Sequence, residues 1–587
     1  MSGAVEAAGR AEPLAAGGET LATILAGRAA ATPDAVAYLA LDRGEEEAGA
    51  LRFAELEARV RAVAAELRRR CEPGDRVLLL FPTGPEFVVG FYACAYAGVV
   101  AVAVQPPEGW RLRVATARME AIRADSGAAA VLATGAMREE LRRTLADSPA
   151  WSLPWVLTDE AGDAPPGDGP LADPAPGDPA LVQYTSGSTG TPKGVVLTHA
   201  NLAAQGVLLE ESTAAEEGAT SVSWPPLHHD MGIVSAVVLP VRAGMRCVMM
   251  SPLAFLQRPA RWLQAISRYG AVFSGGPTFA YDQCARRVTY DERAGLDLSS
   301  WGTAFIGAEP LRADVIDRFC KAFAPAGFAR EALWASWGLA ESTCVVTGSP
   351  PPERFSIRHV DRDRLAAGEA VDAEPGAAGA LPKVGSGRPV GGHETLVVDP
   401  ERREALPDGR VGELWVRGPS VGLGYWGRED ATAETFGGRL ADGTGPFLRT
   451  GDLGFARGGE VFVTGRMKEL IVMRGRTIAP EDVELAAGQA HPAAEGGAGA
   501  AFPEDRDGEE RLVVVQEVEA GAREAAGEAL EAIRRAVRTE IGVSPARVVL
   551  VGPRSIPRTP SGKVRRGACR DALRDGGLKT VGEGEWT

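Results

Sequence analysis

The sequence predicts an α/β protein: a large N-terminal domain of layered α/β subdomains plus a β-rich subdomain, followed by a small C-terminal α+β domain. Three observations carry this reading. Short β-like runs alternate with helical ones from about 181 to 348, the pattern of sheets covered by helices. After a stretch at 349–387 rich in Pro, Gly and Ala, the runs 394–398 and 413–417 read as strands with no helix between them. Beyond a second boundary near Gly465-Arg466 come a hairpin (470–473 and 476–478), a helix from Pro480, a strand at 511–518, a long helix at 522–541 and a strand at 547–551. A chain of 587 residues is too long for one simple core.

Taken in order, residues 1–18 are expected to be disordered, and they lack the basic start of a signal peptide. Helical periodicity runs over 21–31 and 53–70, and 76–81 reads as a strand after the Pro73-Gly74 turn. Residues 87–104 are uncharged and almost wholly apolar. Pro85, Gly98 and Pro106-Pro107 divide them into a buried helix and a buried strand at 99–104, which excludes a membrane span. Residues 159–179 form a linker. The strand 195–198 leads into a helix that Asn201 could cap. Strands at 246–250, 271–274 and 303–306 each precede a helix, at 258–269, near Tyr281, and at 312–323. The expected domains are 19–466 and 467–574, with a tail at 575–587.

Composition narrows the function. The hydrophobic share of 45% and charged share of 24% are ordinary for a soluble protein. The net charge of −15 argues against a general nucleic-acid binder. The seven cysteines are odd in number, scattered and without a C-x-x-C, so neither a disulfide frame nor a zinc site is suggested, and a cytoplasmic setting fits.

The chemistry-bearing stretch is Tyr184-Thr185-Ser186-Gly187-Ser188-Thr189-Gly190-Thr191-Pro192-Lys193-Gly194. Glycines allow consecutive N–H groups to face an anion, and the hydroxyls and lysine add donors for phosphate oxygens. It is not the nucleotide loop G-x-x-x-x-G-K-[ST]: Lys193 follows Pro192, Gly194 stands where Ser or Thr should, and a β-branched run follows rather than a helix. A strand–loop–strand phosphate grip is the reading. Ser223 to Gly232 holds His228, His229 and Asp230 side by side. Neighbours on one strand or turn point apart, so a metal site from these three alone is not expected.

These motifs resemble the adenylate-forming superfamily of acyl-CoA synthetases, peptide-synthetase adenylation domains and luciferases. The segments Phe255-Leu256-Gln257-Arg258-Pro259, Arg261-Trp262-Leu263 and Phe279-Ala280-Tyr281-Asp282, together with His-Asp-Met-Gly at 229–232, are most similar to the fatty acyl-AMP ligases. The resemblance implies that ATP and a fatty acid form acyl-adenylate and pyrophosphate, and that the acyl group then passes to the phosphopantetheine thiol of a separate acyl carrier protein. It implies a mobile C-terminal domain and identifies 349–387 with a family-specific insertion that restrains it. An acyl-CoA synthetase and an inactive adenylate-binding protein are the alternatives.

Residue by residue, the resemblance assigns Thr185, Ser186, Gly187, Ser188, Thr189, Gly190 and Lys193 to the ATP phosphates. Gly307, Ala308, Glu309, Ser336, Trp337, Gly338, Asp452 and Arg466 go to adenine and ribose. His229, Asp230, Met231, Gly232, Ser274, Gly275 and Phe279 go to the acyl pocket. Glu341 is assigned to magnesium, Lys468 to the hinge, and Lys563 with His229 to catalysis. Trp337 departs from the usual tyrosine, and His228 from the usual aromatic residue. A basic patch at Arg565, Arg566 and Arg570 is expected to face an acidic carrier protein.

Overall fold

The computed structural model describes residues 18–107, 112–144, 148–161, 172–185, 192–349, 355–473, 476–506, 509–559 and 562–586. The expected disorder of 1–17 and the assigned phosphate residues Ser186, Gly187, Ser188, Thr189 and Gly190 lie outside them.

Two large sheets form the N-terminal domain. The first has seven strands, ordered Gly424–Tyr425, Lys193–Thr198, Pro179–Thr185, Val100–Ala103, Arg76–Leu80, Ala130–Ala133 and Trp155–Leu157. The second has nine, ordered Arg388–Pro389, Thr347–Gly348, Leu333–Trp337, Thr303–Gly307, Phe273–Pro277, Thr220–Ser223, Arg246–Met249, Val36–Asp42 and Glu46–Arg52. Their central strands run parallel and are buried on both faces, as their continuous apolar sequences require. The helix Pro85–Ala97 sits in the core shared by both sheets. Pro85 opens it, Gly98 closes it in the left-handed conformation (φ 72°), and its residues from Phe87 to Ala97 are buried. No described helix is long and apolar enough to cross a membrane.

The helix His199–Ser212 starts two residues before the expected cap. Thr198 is the N-cap, and Asn201 is the third helical residue that answers it in a reciprocal capping box. This frees Asn201 Nδ2 to donate to Pro419 O and Val421 O, at 2.8 and 3.1 Å. The short helix at Asp230 runs into a π-helical turn, Val234–Val238. The Val237 carbonyl accepts hydrogen bonds from the hydroxyls of both Tyr38 and Tyr92.

The β-rich sheet is antiparallel: Glu394–Val398, Gly412–Arg417, Leu448–Arg457 and Glu460–Arg466. Within 349–387, where only a loop was legible, Ile357–Asp361 and Ala380–Val384 pair antiparallel around the short helix Arg362–Ala366. Backbone pairing supplies the order that side-chain periodicity lacks.

The small C-terminal domain carries a four-stranded sheet of Gly499–Arg506, Glu509–Glu517, Arg547–Val551 and Thr580–Glu585. The expected tail at 575–587 is corrected here, because 580–585 forms an edge strand paired with Arg547–Val551. Its alternating Gly and Glu residues hide the strand: they are poor strand formers, held in place by the neighbouring ladder.

Polar contacts dock the small domain. Lys383 Nζ meets both oxygens of Asp482, at 2.8 and 3.0 Å. Arg362 donates to Thr539 O and Glu540 O, carbonyls at the C-terminal end of the helix Ala526–Glu540. Arg286 pairs with Glu495 at 2.8 Å. The double variant Lys383→Met/Arg362→Ala is expected to raise the undocked population about tenfold, given ~1.5 kcal/mol for a hydrogen bond to a charged group. Hydrogen–deuterium exchange at 466–470 and at the end of the helix Ala526–Glu540 reads this. Unchanged exchange would mean that other contacts hold the domain.

Candidate active site

One cavity of about 1070 Å³ opens where the two large sheets, the β-rich sheet and the C-terminal domain meet. Thr185, Lys193, His229, Asp230, Met231, Ala308, Ser336, Trp337, Gly338, Glu341, Arg466, Lys468 and Lys563, all assigned from sequence, line it. They come from strand ends and the loops beyond them, as ligand sites in layered α/β folds do.

At one end the antiparallel pair Pro179–Thr185 and Lys193–Thr198 delivers Thr185 and Lys193. Lys193 Nζ lies 4.9 Å from the ring centre of Tyr425. The Tyr425 hydroxyl donates to Glu341 Oε1 at 2.7 Å. One tyrosine thus joins the candidate phosphate lysine to the candidate metal carboxylate. Tyr425 reaches this place because the two-residue strand Gly424–Tyr425 pairs with Val195 and Val196, a long-range contact with no local signature. Among the described residues no cluster of three metal-binding side chains occurs. A single carboxylate beside a hydroxyl and phosphate-binding groups nevertheless fits magnesium, which uses one or two carboxylates plus substrate phosphates.

Asp452 is buried, and both its oxygens are engaged. Trp337 Nε1 donates to Oδ2 at 2.9 Å, and Arg466 Nε to Oδ1 at 2.8 Å. The indole of Trp337 therefore does more than offer a flat face. The turn before Asp452 is held by buried Glu413, which accepts from Gly451 N, Arg449 and Trp415 Nε1. Glu413 lines the cavity too, and sequence reading missed it: it looks like one polar position in a strand.

His229 Nδ1 and Asp230 Oδ1 are 3.1 Å apart, and Met231 N donates to the same oxygen. Burial would raise the Asp230 carboxyl. The His229 contact and the charge of Lys563 outweigh it and hold the group below its usual value. Lys563 is brought in by the loop after Thr559, whose hydroxyl accepts from Lys563 N. Burial first, then the Arg466 charge, lowers the Lys563 ammonium, against the pull of Asp230, Glu309 and Asp452.

The other end is apolar, lined by Leu209, Met231, Val234, Phe273, Phe305, Trp334 and Val345. Several expected acyl-pocket residues are corrected here. Ser274 faces away from Phe273, as strand alternation demands. It is fully buried, donating to Val222 O at 2.6 Å and accepting from Trp262 Nε1 at 2.8 Å. Gly275 makes room: a Cβ there would lie 2.1 Å from Phe305 O and 2.5 Å from Phe305 Cγ. Gly232 allows close approach to Pro226, whose carbonyl oxygen would be 2.2 Å from an added Cβ. Phe279 packs against Trp224 and Phe255 and meets Gly562 of the small domain. Of Gly307, Ala308 and Glu309, only Ala308 faces the cavity. Gly307 packs on Ser336, and half-buried Glu309 accepts from Phe279 N at the start of the helix Thr278–Arg287. Arg566 is withdrawn from the expected basic patch by Glu469, Glu481 and Glu484.

The chain matches the sequence model of the AMP-binding enzyme family over residues 25–426. It is 40% identical to the medium-chain-fatty-acid–[acyl-carrier-protein] ligase JamA of Moorena producens, over 92% of this chain and 93% of that protein. It is 36% identical to the long-chain-fatty-acid–AMP ligase FadD32 of Mycolicibacterium smegmatis, over 93% of each. Among solved structures it is similar to a fatty acyl-adenylate ligase from work on the E. coli and L. pneumophila enzymes, with TM-score 0.86, 32% identity, and 95% and 98% of the two chains covered. A second is the L. pneumophila ligase in complex with acyl adenylate and pyrophosphate, with TM-score 0.74, 32% identity, and 96% and 98% covered.

Two substitutions check the geometry. Trp337→Phe keeps an aromatic face and deletes the N–H that holds Asp452. It is expected to raise KM for ATP roughly tenfold, the cost of one hydrogen bond to a charged group. Its KM for 2′,3′-dideoxy-ATP should match that of the unaltered protein, because the assignment of Asp452 to ribose makes the lost contact act through those hydroxyls. Equal losses on both nucleotides would assign Trp337 to adenine alone. Gly275→Ala forces a Cβ onto the Phe305 backbone and is expected to cost about 1–3 kcal/mol. A lower melting temperature in calorimetry reads it, and an unchanged one would contradict the packing described.

Proposed function

The chain belongs to the AMP-binding enzymes and, within them, to the fatty acyl-AMP ligases, and on that premise we propose that it joins a fatty acid to the AMP portion of ATP, releases pyrophosphate, and passes the acyl group to the phosphopantetheine thiol of a separate acyl carrier protein. The observation that carries this reading is one cavity with three kinds of wall. Lys193 and Thr185 line one end, Trp337 and Arg466 with Asp452 behind them form the side, and an apolar recess at Phe273 and Phe305 forms the other end. Lys563 lines the same cavity.

The acid is already ionised near neutral pH, so the step needs no general base. Its difficulty is the meeting of two anions, and positioning with charge neutralisation overcomes it. The carboxylate oxygen attacks the α-phosphorus, an acyl–O–P bond forms, and the bond to the bridging oxygen of pyrophosphate breaks. Lys563 bridges the carboxylate and the α-phosphate oxygens. His229 borders the carboxylate with Asp230 fixing its ring, and Asp452 accepts from the ribose hydroxyls. Lys193 and Thr185 hold the outer phosphates, and Glu341 holds magnesium. When bound, that ion neutralises phosphate charge.

For the second step the small domain rotates about Lys468, in the turn Met467–Glu469, and admits the carrier arm. Arg565 and Arg570 remain on the rim for an acidic partner, while Arg566 is committed to its glutamates. All seven cysteines are free thiols, which suits a reducing cytoplasm.

The reading is tested by incubating the protein with MgATP and a series of fatty acids, alone, with CoA, and with phosphopantetheinylated carrier protein, and weighing the products. Acyl-AMP that persists with CoA and is consumed by the carrier is the expected result. Rapid acyl-CoA formation would make the protein a CoA synthetase. Lys563→Ala is expected to lower kcat for adenylate formation by roughly 100- to 1000-fold, the scale of one lost transition-state donor, with KM for ATP changed about twofold at most. Near-normal adenylation by this variant would remove Lys563 from its role.

A further inference from the structure

The cavity carries more positive charge than the assignments above use. Arg118, on the helix Leu112–Ser126, lines it together with Thr185 and Lys193. Seven residues later, on the same helix face, Asp125 accepts from the Tyr184 hydroxyl at 2.8 Å and pairs with Arg428 at 2.5 Å. These contacts fasten the helix to the strand Pro179–Thr185 and bring Arg118 to the phosphate end. From the small domain come Arg565 and the first turn of the helix Arg566–Arg574, with Gly567 and Ala568 in the cavity wall. The leading amides of a helix have no intrahelical acceptor and favour an anion.

Neither Arg118 nor Arg565 has an ion-pair partner among the described residues. Burial, and then the facing Arg565 charge, lowers the Arg118 guanidinium below its usual value. His228 adds an independent sign of a missing ligand. It lines the same cavity, and its Nε2 is buried with no hydrogen-bond partner among the described residues. Burial, His229 and Arg118 lower its ring to about 3, so it is neutral at physiological pH with one nitrogen uncommitted. Two facing cations without a counterion are unfavourable. An oxyanion of high charge density would relieve them, and guanidinium forks match phosphate oxygens.

We propose that Arg118, Arg565, the first turn of the helix Arg566–Arg574 and His228 form a wall that holds the departing pyrophosphate beside Lys193 and Thr185. The inference rests on the adenylation reading above and adds a coupling to it. Arg565 travels with the small domain, so pyrophosphate neutralises the arginine pair only while that domain is docked. Loss of pyrophosphate leaves Arg118 and Arg565 facing each other and favours undocking, which would tie product release to the start of the transfer step.

Calorimetric titration of the full-length protein with magnesium pyrophosphate, without fatty acid, reads the wall directly. Arg118→Gln and Arg565→Gln are each expected to weaken binding roughly 10- to 100-fold, the range for one charge-assisted hydrogen bond. Arg118→Lys should recover part of the loss, which separates charge from folding. In ATP–pyrophosphate exchange the same variants should raise KM for pyrophosphate by a similar factor and leave KM for the fatty acid unchanged. In Arg118→Gln, which leaves the rim position Arg565 intact, transfer from preformed acyl-AMP to the carrier should keep its rate. Pyrophosphate affinity within about twofold of the unaltered protein in both Gln variants overturns the proposal. So does a loss confined to carrier transfer, which would assign the wall to the phosphodiester of the carrier arm. The titration needs no acid substrate. Arg118-dependent pyrophosphate binding in a protein that adenylates no acid would therefore leave the wall standing and remove the proposed reaction instead.

Discussion

Two sheets meet on the Asp452 carboxylate. The β-rich sheet supplies the residue and, from the adjacent strand at the last position before the interdomain turn, the Arg466 guanidinium, while the strand Leu333–Trp337 of the nine-stranded sheet supplies the indole N–H. A buried carboxylate must be paired and hydrogen-bonded to remain ionised. Its two partners therefore fix where the strand Leu333–Trp337 ends, and where Arg466 sits before the chain enters the small domain. Glu413 repeats the device one layer below, holding the Thr450-Gly451 turn through Gly451 N and Arg449.

The charge layout follows from that arrangement. Four carboxylates in and beside the cavity are tied to a neighbour: Asp230 to His229, Glu341 to Tyr425, Glu413 to Arg449, Asp452 to Arg466. Arg118, Lys193, Lys563 and Arg565 line the space, and none of the four has an ion pair among the described residues. In a protein of net charge −15 such a local excess of uncommitted cations means a polyanionic ligand. The glutamates around Arg566 sharpen the picture, since they remove one cation from the rim and use it to brace the helix that begins the catalytic wall.

Motif chemistry was legible in the sequence because it resides in contiguous residues. The hairpin at 179–198, Trp337 with Glu341, Asp452 with Arg466, and the Lys563 loop were each found from local patterns, and the structure brings them to one cavity. Misreadings arose where contiguity misleads. Ser274 and Phe273 are neighbours, yet a strand sends them to opposite faces, so the serine supports Trp262 while the phenylalanine lines the recess. Ala308 and Glu309 also divide, but in the loop after the strand Thr303–Gly307, where Ala308 takes the left-handed backbone conformation (φ 64°). Tyr425, Glu413 and Arg118 carry no motif at all. Each matters through partners far along the chain: Tyr425 through Glu341, Glu413 through Arg449, and Arg118 through a helix held to Tyr184 and Arg428 by Asp125.

The sequence by itself determined the layered α/β class and the succession of a large and a small domain, and it nominated the candidate reacting groups, because hydrophobic period and motif spacing are local properties of the chain. The tertiary structure decided which face of each strand meets the cavity, the pairing of 580–585 as a fourth strand, and the commitment of Arg566 to three glutamates. It also decided the convergence of Arg118 and Arg565 from two domains on one space. Those outcomes depend on backbone pairing and charge neutralisation between residues up to hundreds of positions apart, and no local pattern encodes them.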